Sequence, residues 1–508
     1  MSAESRAEYT NSGNESSLHH SDKDLESAHP SENIRVDNGE ELSSGHDAQE
    51  SKETKDLEVV DWDGPDDPSN PMNWPARKNP LASSMFAPGV PQVQQEFGSS
   101  DQTLATFVVS VFLLGYVAGP LVLVPLADIY GRVVVYHAGN LGFIIFNIAC
   151  AVSTDMSMLI GFRFLAGLIG SAPMTVGGGT VADIMPYEQR GLAIMVWNLP
   201  VVAGPVIGPV IGGFLTQAAG WRWLFWLIVI ASGVTAVVGV AVLRETNPAV
   251  LLKRKTNRLR RETGNPGLRS RLDMGLSKKE IFIRAIVRPS KLLFLSPICA
   301  LACLYNSFVY SIMYLFFTTF TFVFEGEYGF SQGIVGLTYI GMGIGMFAGM
   351  VLYGLTSDKI VKHLAKKHGL DQGKPEHRLP LAMFTAPFIP AGLFIYGWTV
   401  EYHVHWAVPL IGTLMVGFGL IIIMSSIANY MIDTFNIYAG AAMGAIAISR
   451  SLFGGTFPLF ALHMYESLGW GWGNSLLAFI ALAGCVIPPL FYIYGQRLRT
   501  SPKHQIRL

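Results

Sequence analysis

Three short stretches of this 508-residue chain hold side chains whose types and spacing could do chemistry. LIGFRFLAGLIG, at 159–170, sets Arg163 inside an otherwise apolar run. A guanidinium at the centre of a membrane helix costs roughly 2.5–3.5 kcal/mol to insert, so it asks for a partner or a function that offsets the cost. The alternative is a structural anchor whose long stem snorkels to one interface. PLADIYGR, at 125–132, places Asp128 and Arg132 four residues apart, with Gly131 between them where a tight turn is allowed. Such a pair can face a helix N-terminus or latch two helices together. GLTSDKIVK, at 354–362, repeats the spacing with Asp358 and Lys362. For Arg132 and Lys362 alike, the alternative is a loop of solvated charges. Asp433 and Arg450 flank the connection before the penultimate apolar run and can pair, with interfacial anchoring as the alternative.

Enzyme chemistry finds no foothold. GFSQG, at 329–333, matches the nucleophile-elbow pattern but enters an apolar helix with no strand before it. No Walker motif occurs, so this chain does not bring ATP as an energy source. Cys150, Cys299, Cys303 and Cys485 all lie in apolar runs without ligand spacing and read as inert thiols. The expectation is no catalytic residue, no metal, no cofactor and no nucleic-acid partner.

The elements that must position these charges follow from composition. Half of the residues are hydrophobic and 14% are charged, too apolar for an ordinary soluble protein. Charge is segregated: residues 1–73 hold 19 of the 37 acidic side chains but 5 of the 36 basic ones, leaving the rest of the chain near +13. That acidic, Ser- and Asn-rich start cannot bury enough apolar surface to order itself, and it carries no signal-peptide pattern. Apolar runs long enough to cross a bilayer read near 103–127, 134–153, 157–182, 191–217, 222–243, 292–323, 333–356, 380–400, 406–430, 438–464 and 473–495, eleven in all.

Lysine and arginine gather in alternate connections, around Arg132, Arg190, 253–291, 359–378 and the C-terminus, which assigns those connections to the cytoplasm. Arg222 alone interrupts the pattern. A topology with a cytoplasmic acidic tail needs one further crossing before Asp101, yet the apolar part there, LASSMFAPGV at 81–90, is half the required length. The first helix therefore reads as truncated.

GPVIGPVIGG, at 204–213, packs helix-weakening residues into one of these spans. Gly204, Gly208 and Gly212 recur every four residues, with Gly213 beside them, and let a neighbouring backbone approach closely. Pro205 and Pro209 share that spacing and each removes a backbone hydrogen bond, which predicts a kinked, pliable helix. The alternative is ordinary small-residue packing. Around 305–320, Tyr305, Tyr310, Tyr314, Phe316, Phe317 and Phe320 offer the apolar, aromatic wall that a broad-range pocket needs, or else a packing stripe.

WDGPDDPSNPMNW at 62–74, PLADIYGR, RFLAGLIGSAPMTVGGGTVAD at 163–183, GPVIGPVIGG, WRWLFW at 221–226, the run 314–337 and the run 450–481 come in an order that resembles the major facilitator superfamily, specifically the fungal drug:proton antiporters with twelve spans. The resemblance runs from about Trp62 to the C-terminus. It implies an all-α integral membrane protein, two six-helix halves with eleven full spans read and the first helix incomplete. The implied division is a disordered acidic tail at 1–73, an N-terminal half at 74–243, a basic central loop at 244–291, a C-terminal half at 292–496 and a tail at 497–508. It implies that Arg163, with Asp128 and Arg132, serves proton coupling, and that GPVIGPVIGG is the antiporter hinge. Tyr305, Tyr310, Tyr314 and Phe317 are the expected substrate pocket.

The function expected is a proton-coupled multidrug exporter of amphipathic small molecules, giving xenobiotic resistance from the plasma membrane, with protons and lipid as its other partners. Uptake of a small metabolite keeps the same fold with the direction reversed. A non-transporting membrane protein is the reading if the first helix is absent.

Overall fold

The computed structural model describes residues 102–184, 190–273, 275–370, 373–435 and 438–500, with residues 59–63, 67, 70, 71, 92, 93, 96 and 97 ahead of them. The stretch LASSMFAPGV, the acidic start and the last residues of the chain lie outside the described residues. The first group of crossings opens with α1 (Gln102–Tyr130) and α2 (Arg132–Ala151). Next come α3 (Met156–Gly170) and α4 (Ala172–Ile184), which form one span broken at Ser171, then α5 (Arg190–Ala219) and α6 (Arg222–Val242). Helices α7 (Pro248–Thr263) and α8 (Lys278–Leu295) carry the basic connection. The second group is α9 (Pro297–Gly326), α10 (Gln332–Lys367), α11 (Pro380–Thr385), α12 (Phe388–Glu401), α13 (Ala407–Phe435), α14 (Ala439–Gly484) and α15 (Ile487–Thr500).

Local chemistry sets where many of these begin. Asp155 caps α3 by accepting from the Met158 amide at 2.8 Å. Asn247 caps α7 with Pro248 in its first turn, and Gly264 in the left-handed region closes it. Ser277 and Glu280 form a capping box on α8, and Ser296 with Pro297 opens α9.

Among the described residues, nine stretches are long and apolar enough to cross a bilayer. The last, Ala439–Arg499, counts twice, because the chain reverses at Gly469, whose φ is 71°. The proof is that Tyr465 donates to Asn474 Oδ1 at 3.1 Å, whereas nine residues of continuous helix would separate them by about 13 Å. Helix α5, 30 residues from Arg190 to Ala219 and apolar after its first turn, adds one more. The eleven spans read from the sequence are thus all present.

Within the first group, α3 packs on α1 and α2, and α6 on α2. Its core gathers Leu159, Trp221 and Phe225. In the second group α10, α12 and α13 pack together, as do α9, α12 and α14, around Phe316, Phe320, Tyr339 and Tyr396. The groups meet mainly along two helix pairs, α5 with α10 and α1 with α14. At the first of these, a Cβ on Gly336 would stand 2.5 Å from the Pro209 carbonyl oxygen, and one on Gly213 would stand 2.5 Å from that of Gln332. Pro209 and Gly213 of GPVIGPVIGG are therefore in close contact with α10. Helical backbone continues from Arg190 to Ala219, through both prolines.

The end of the bundle away from the basic connections is also closed by side chains. Gln92 donates to Gln332 Oε1 at 3.0 Å and to the Thr216 carbonyl at 3.1 Å, and the Gly333 amide donates to Gln217 Oε1 at 3.1 Å. Arg222, the exception to the charge pattern, is bound there. It pairs with Glu96, donates to the Ser153 carbonyl at 2.9 Å and lies 4.3 Å over the Trp221 ring. That guanidinium holds the Glu96 carboxyl below the usual carboxylate range.

At the basic end, the acidic approach before the first helix is docked. Val59–Val60 pairs in parallel with Arg269–Ser270, Asp61 pairs with Arg271, and Lys255 of α7 meets Asp63 at 2.5 Å and Asp67 at 3.5 Å. Gly336→Leu should force α5 and α10 apart. The expected cost is about 1–3 kcal/mol of overpacking, visible as a lower Tm in detergent, whereas Gly440→Leu, where a Cβ meets open space, should leave Tm unchanged.

Candidate functional site

Arg163 stands seven residues into α3, and its side chain turns to α1. It is 8% exposed, and its Nε donates to the Val108 carbonyl at 2.6 Å. Its guanidinium carbon lies 5.5 Å from the Phe112 ring centre and 5.8 Å from that of Phe225. The side chain stays inside the bundle, and Tyr314 of α9, in the other group, lies within its electrostatic reach. A backbone carbonyl on Nε and two aromatic rings beside the guanidinium suit a charge retained in an apolar region.

A cleft between the two groups continues from Tyr314. Tyr310 and Tyr314 are half-buried, with ring centres 5.0 Å apart. Arg450 of α14 places its guanidinium carbon 5.3 Å over Tyr310, and its Nη2 reaches Met174 Sδ at 3.7 Å. Tyr116 of α1, which donates to the Gly170 carbonyl at 3.3 Å, is within electrostatic reach of the same cation. A cation over an aromatic face gains ~0.5–2 kcal/mol. That falls short of the roughly 2.5–3.5 kcal/mol insertion cost.

The four aromatic residues expected to share one pocket are divided by helical phase. Tyr305, five residues before Tyr310, points about 140° away from it. It is buried, with its ring against Gly484. Phe317 is buried too, 5.8 Å from the Tyr339 ring, and Phe316 and Phe320 pack on Tyr396. Only Tyr310 and Tyr314 of the set face the cleft. Asp433 and Arg450 do not pair. Asp433 ends α13 and accepts from Arg378 Nε at 2.9 Å, while Arg450 sits eleven residues inside α14.

At the basic end, Arg132 is the hub that PLADIYGR anticipates. Its Nε meets Asp183 Oδ2 of α4 at 2.6 Å, and its backbone amide donates to Glu245 Oε1 at 2.9 Å. Glu245 also accepts from the Val133 amide at 3.4 Å, so a carboxylate that follows α6 closes the N-terminus of α2. Gly131 makes this possible: its φ is 107°, and a Cβ there would run into the Glu245 carboxylate.

The second group builds the same pattern differently. Lys362 does not repeat Arg132, because α10 continues to Lys367 without a break and leaves Lys362 exposed. Arg378, delivered by the 3₁₀ turn Pro375–Arg378, bridges Asp358 at 2.6 Å and Asp433 at 2.9 Å. Glu245, Arg378, Tyr116 and Met174 escaped the sequence reading. Glu245 had a usable signal, an acid just ahead of the Asn-Pro helix start in RETNP. The others had none, since their roles arise from helices distant in sequence.

Two groups of membrane-crossing helices, joined along α5–α10 and α1–α14 with charged hubs at one end, define a polytopic helical transporter. Its family follows from comparison: residues 79–458 match the Major Facilitator Superfamily model, and the chain belongs to that superfamily. It is 55% identical over 471 residues to the "Efflux pump radE" of Floropilus chiversii, spanning 90% of this chain and 88% of that one. It is 48% identical over 474 residues to the "MFS-type transporter penM" of Penicillium rubens, spanning 91% and 93%. Among solved structures, the proton:xylose symporter XylE bound to 6-bromo-6-deoxy-D-glucose shares the fold with a TM-score of 0.58 at 15% identity, covering 81% of this chain and 91% of that one.

Arg378→Gln should lower Tm in detergent by an amount equivalent to about 1–3 kcal/mol, because two carboxylates lose a charged partner. Lys362→Gln should leave it unchanged, and equal effects of the two would refute the assignment of the hub.

Proposed function

We propose that the chain is a proton-driven exporter of amphipathic small molecules at the plasma membrane, with its basic end and both termini in the cytoplasm. The observation that carries this reading is the cleft of Tyr310, Tyr314 and Arg450 beside the buried Arg163, lying between two helix groups whose close approaches sit toward the sealed end. Exchange of the cleft between the two sides requires that seal to part and the basic end to close. Export, as opposed to uptake, is supported by the likeness to a named efflux pump.

In this cycle each residue has a definite task. Arg163 is the charge whose surroundings change with protonation, since it lies within reach of the cleft yet is held by α1. Arg132 and its partners Asp183 and Glu245, with the exposed Asp128 one turn before it on α1, latch the basic end of the first group, and Asp358, Arg378 and Asp433 that of the second. Gly204, Pro205, Gly208, Pro209, Gly212 and Gly213 form the face along which α5 slides on α10. Tyr310 and Tyr314 present aromatic surface to the passenger, while Tyr305 and Phe317 hold that wall from behind.

Cells expressing the intact chain should survive a panel of amphipathic toxins at several-fold higher doses than cells expressing Arg163→Ala, with equal amounts of both proteins in purified plasma membranes. Equal survival would sink the coupling role of Arg163. Greater sensitivity of cells with the intact chain would reverse the direction to uptake.

A further inference from the structure

Arg450 is a half-buried cation inside the bundle with no ion-pair partner among the described residues. It stands eleven residues beyond the start of α14, about 16 Å along the helix. Its Nε is buried and has no hydrogen-bond partner, and its Nη2 meets only the Met174 thioether, a weak acceptor. Among the described residues it forms no ion pair, in contrast with Arg132, Arg222 and Arg378, each of which holds a carboxylate.

Nε and Nη2 form one edge of the planar guanidinium, and along it only the weak Met174 thioether of α4 stands, against Nη2. That edge is the one on which a carboxylate binds with two parallel hydrogen bonds, displacing the thioether. The Tyr310 ring of α9 lies under the guanidinium, and the Tyr314 ring lies 5.0 Å from that of Tyr310. The side chains around this edge come from both helix groups, Met174 of α4 from the first and Tyr310 of α9 and Arg450 itself from the second, and all three are half-buried.

We propose that the cleft selects small aromatic molecules that carry an anionic oxygen group, a carboxylate or a comparable oxyanion, with Arg450 as the specificity-determining cation. The oxyanion sits on Nε and Nη2 of Arg450, and the ring lies against Tyr310 and Tyr314. This rests on the transport reading and narrows its substrate class.

The test uses the purified full-length chain in neutral detergent at neutral pH, with 2-naphthoate and its methyl ester as matched probes in equilibrium dialysis. The intact protein should bind the acid at least about tenfold more tightly than the ester. Arg450→Gln should erase that preference and leave ester affinity in place, and Arg450→Lys should keep part of it. Tyr310→Leu should weaken both probes together. Equal binding of acid and ester, binding of neither, or an unchanged preference in Arg450→Gln would overturn the proposal, with gel filtration of each variant confirming a folded chain. Proteoliposome flux of radiolabelled 2-naphthoate separates the two readings. An acid preference without proton-driven flux leaves this inference standing and defeats the exporter, whereas proton-driven flux of the ester alone does the opposite.

Discussion

A guanidinium cannot shed its charge in a protein and carries five donors in a rigid plane, so each one withdrawn from water dictates the structure around it. Arg132, Arg163, Arg222 and Arg378 show four ways of meeting that demand: a carboxylate and a shared helix N-terminus, a backbone carbonyl between aromatic rings, a carboxylate beside an indole, and two carboxylates bridged at once. These bonds fix helix against helix at both ends of the bundle and in its interior. Arg450 is the exception: its buried Nε has no partner, its Nη2 meets only a thioether, and it lies over Tyr310 where the two helix groups meet.

The two charged hubs also show how a repeated design survives divergent local sequence. In the first group Gly131 breaks the chain at once, so Arg132 opens the next helix with its amide beside Glu245. In the second group nothing breaks α10 after Asp358, and the arginine must come back from a 3₁₀ turn twenty residues later. Both routes end with an arginine joined to an aspartate on a neighbouring helix. The geometry is repeated while the spacing is not.

Between the hubs and the sealed end runs the seam of α5 and α10. Its closeness depends on missing side chains: Gly213 and Gly336 let carbonyl oxygens of the opposing helix stand where a Cβ would be. Interfaces of this kind gain their stability from contact and backbone proximity, not from burial away from water, because lipid is as apolar as the helices themselves. They can slide without exposing apolar surface to a worse solvent.

The sequence by itself determined the number and order of the spans, the segregation of charge to one end, and the identity of Arg163 and Arg132 as charges needing partners. These depend on local quantities: run length, hydropathy, and the cost of a lone ion in an apolar stretch. The family resemblance was legible for the same reason, since its motifs are contiguous. Only tertiary structure decided who the partners are. Lys362 lost its expected part to Arg378 because helix continuity, not spacing, places a side chain, and Asp433 went to Arg378 instead of Arg450. The aromatic run was divided between core and cleft by a helical phase that has no meaning until a neighbouring helix defines which face is inside. Partners such as Glu245 and Met174 lie more than a hundred residues from the arginines they meet, a distance over which sequence pattern carries no register.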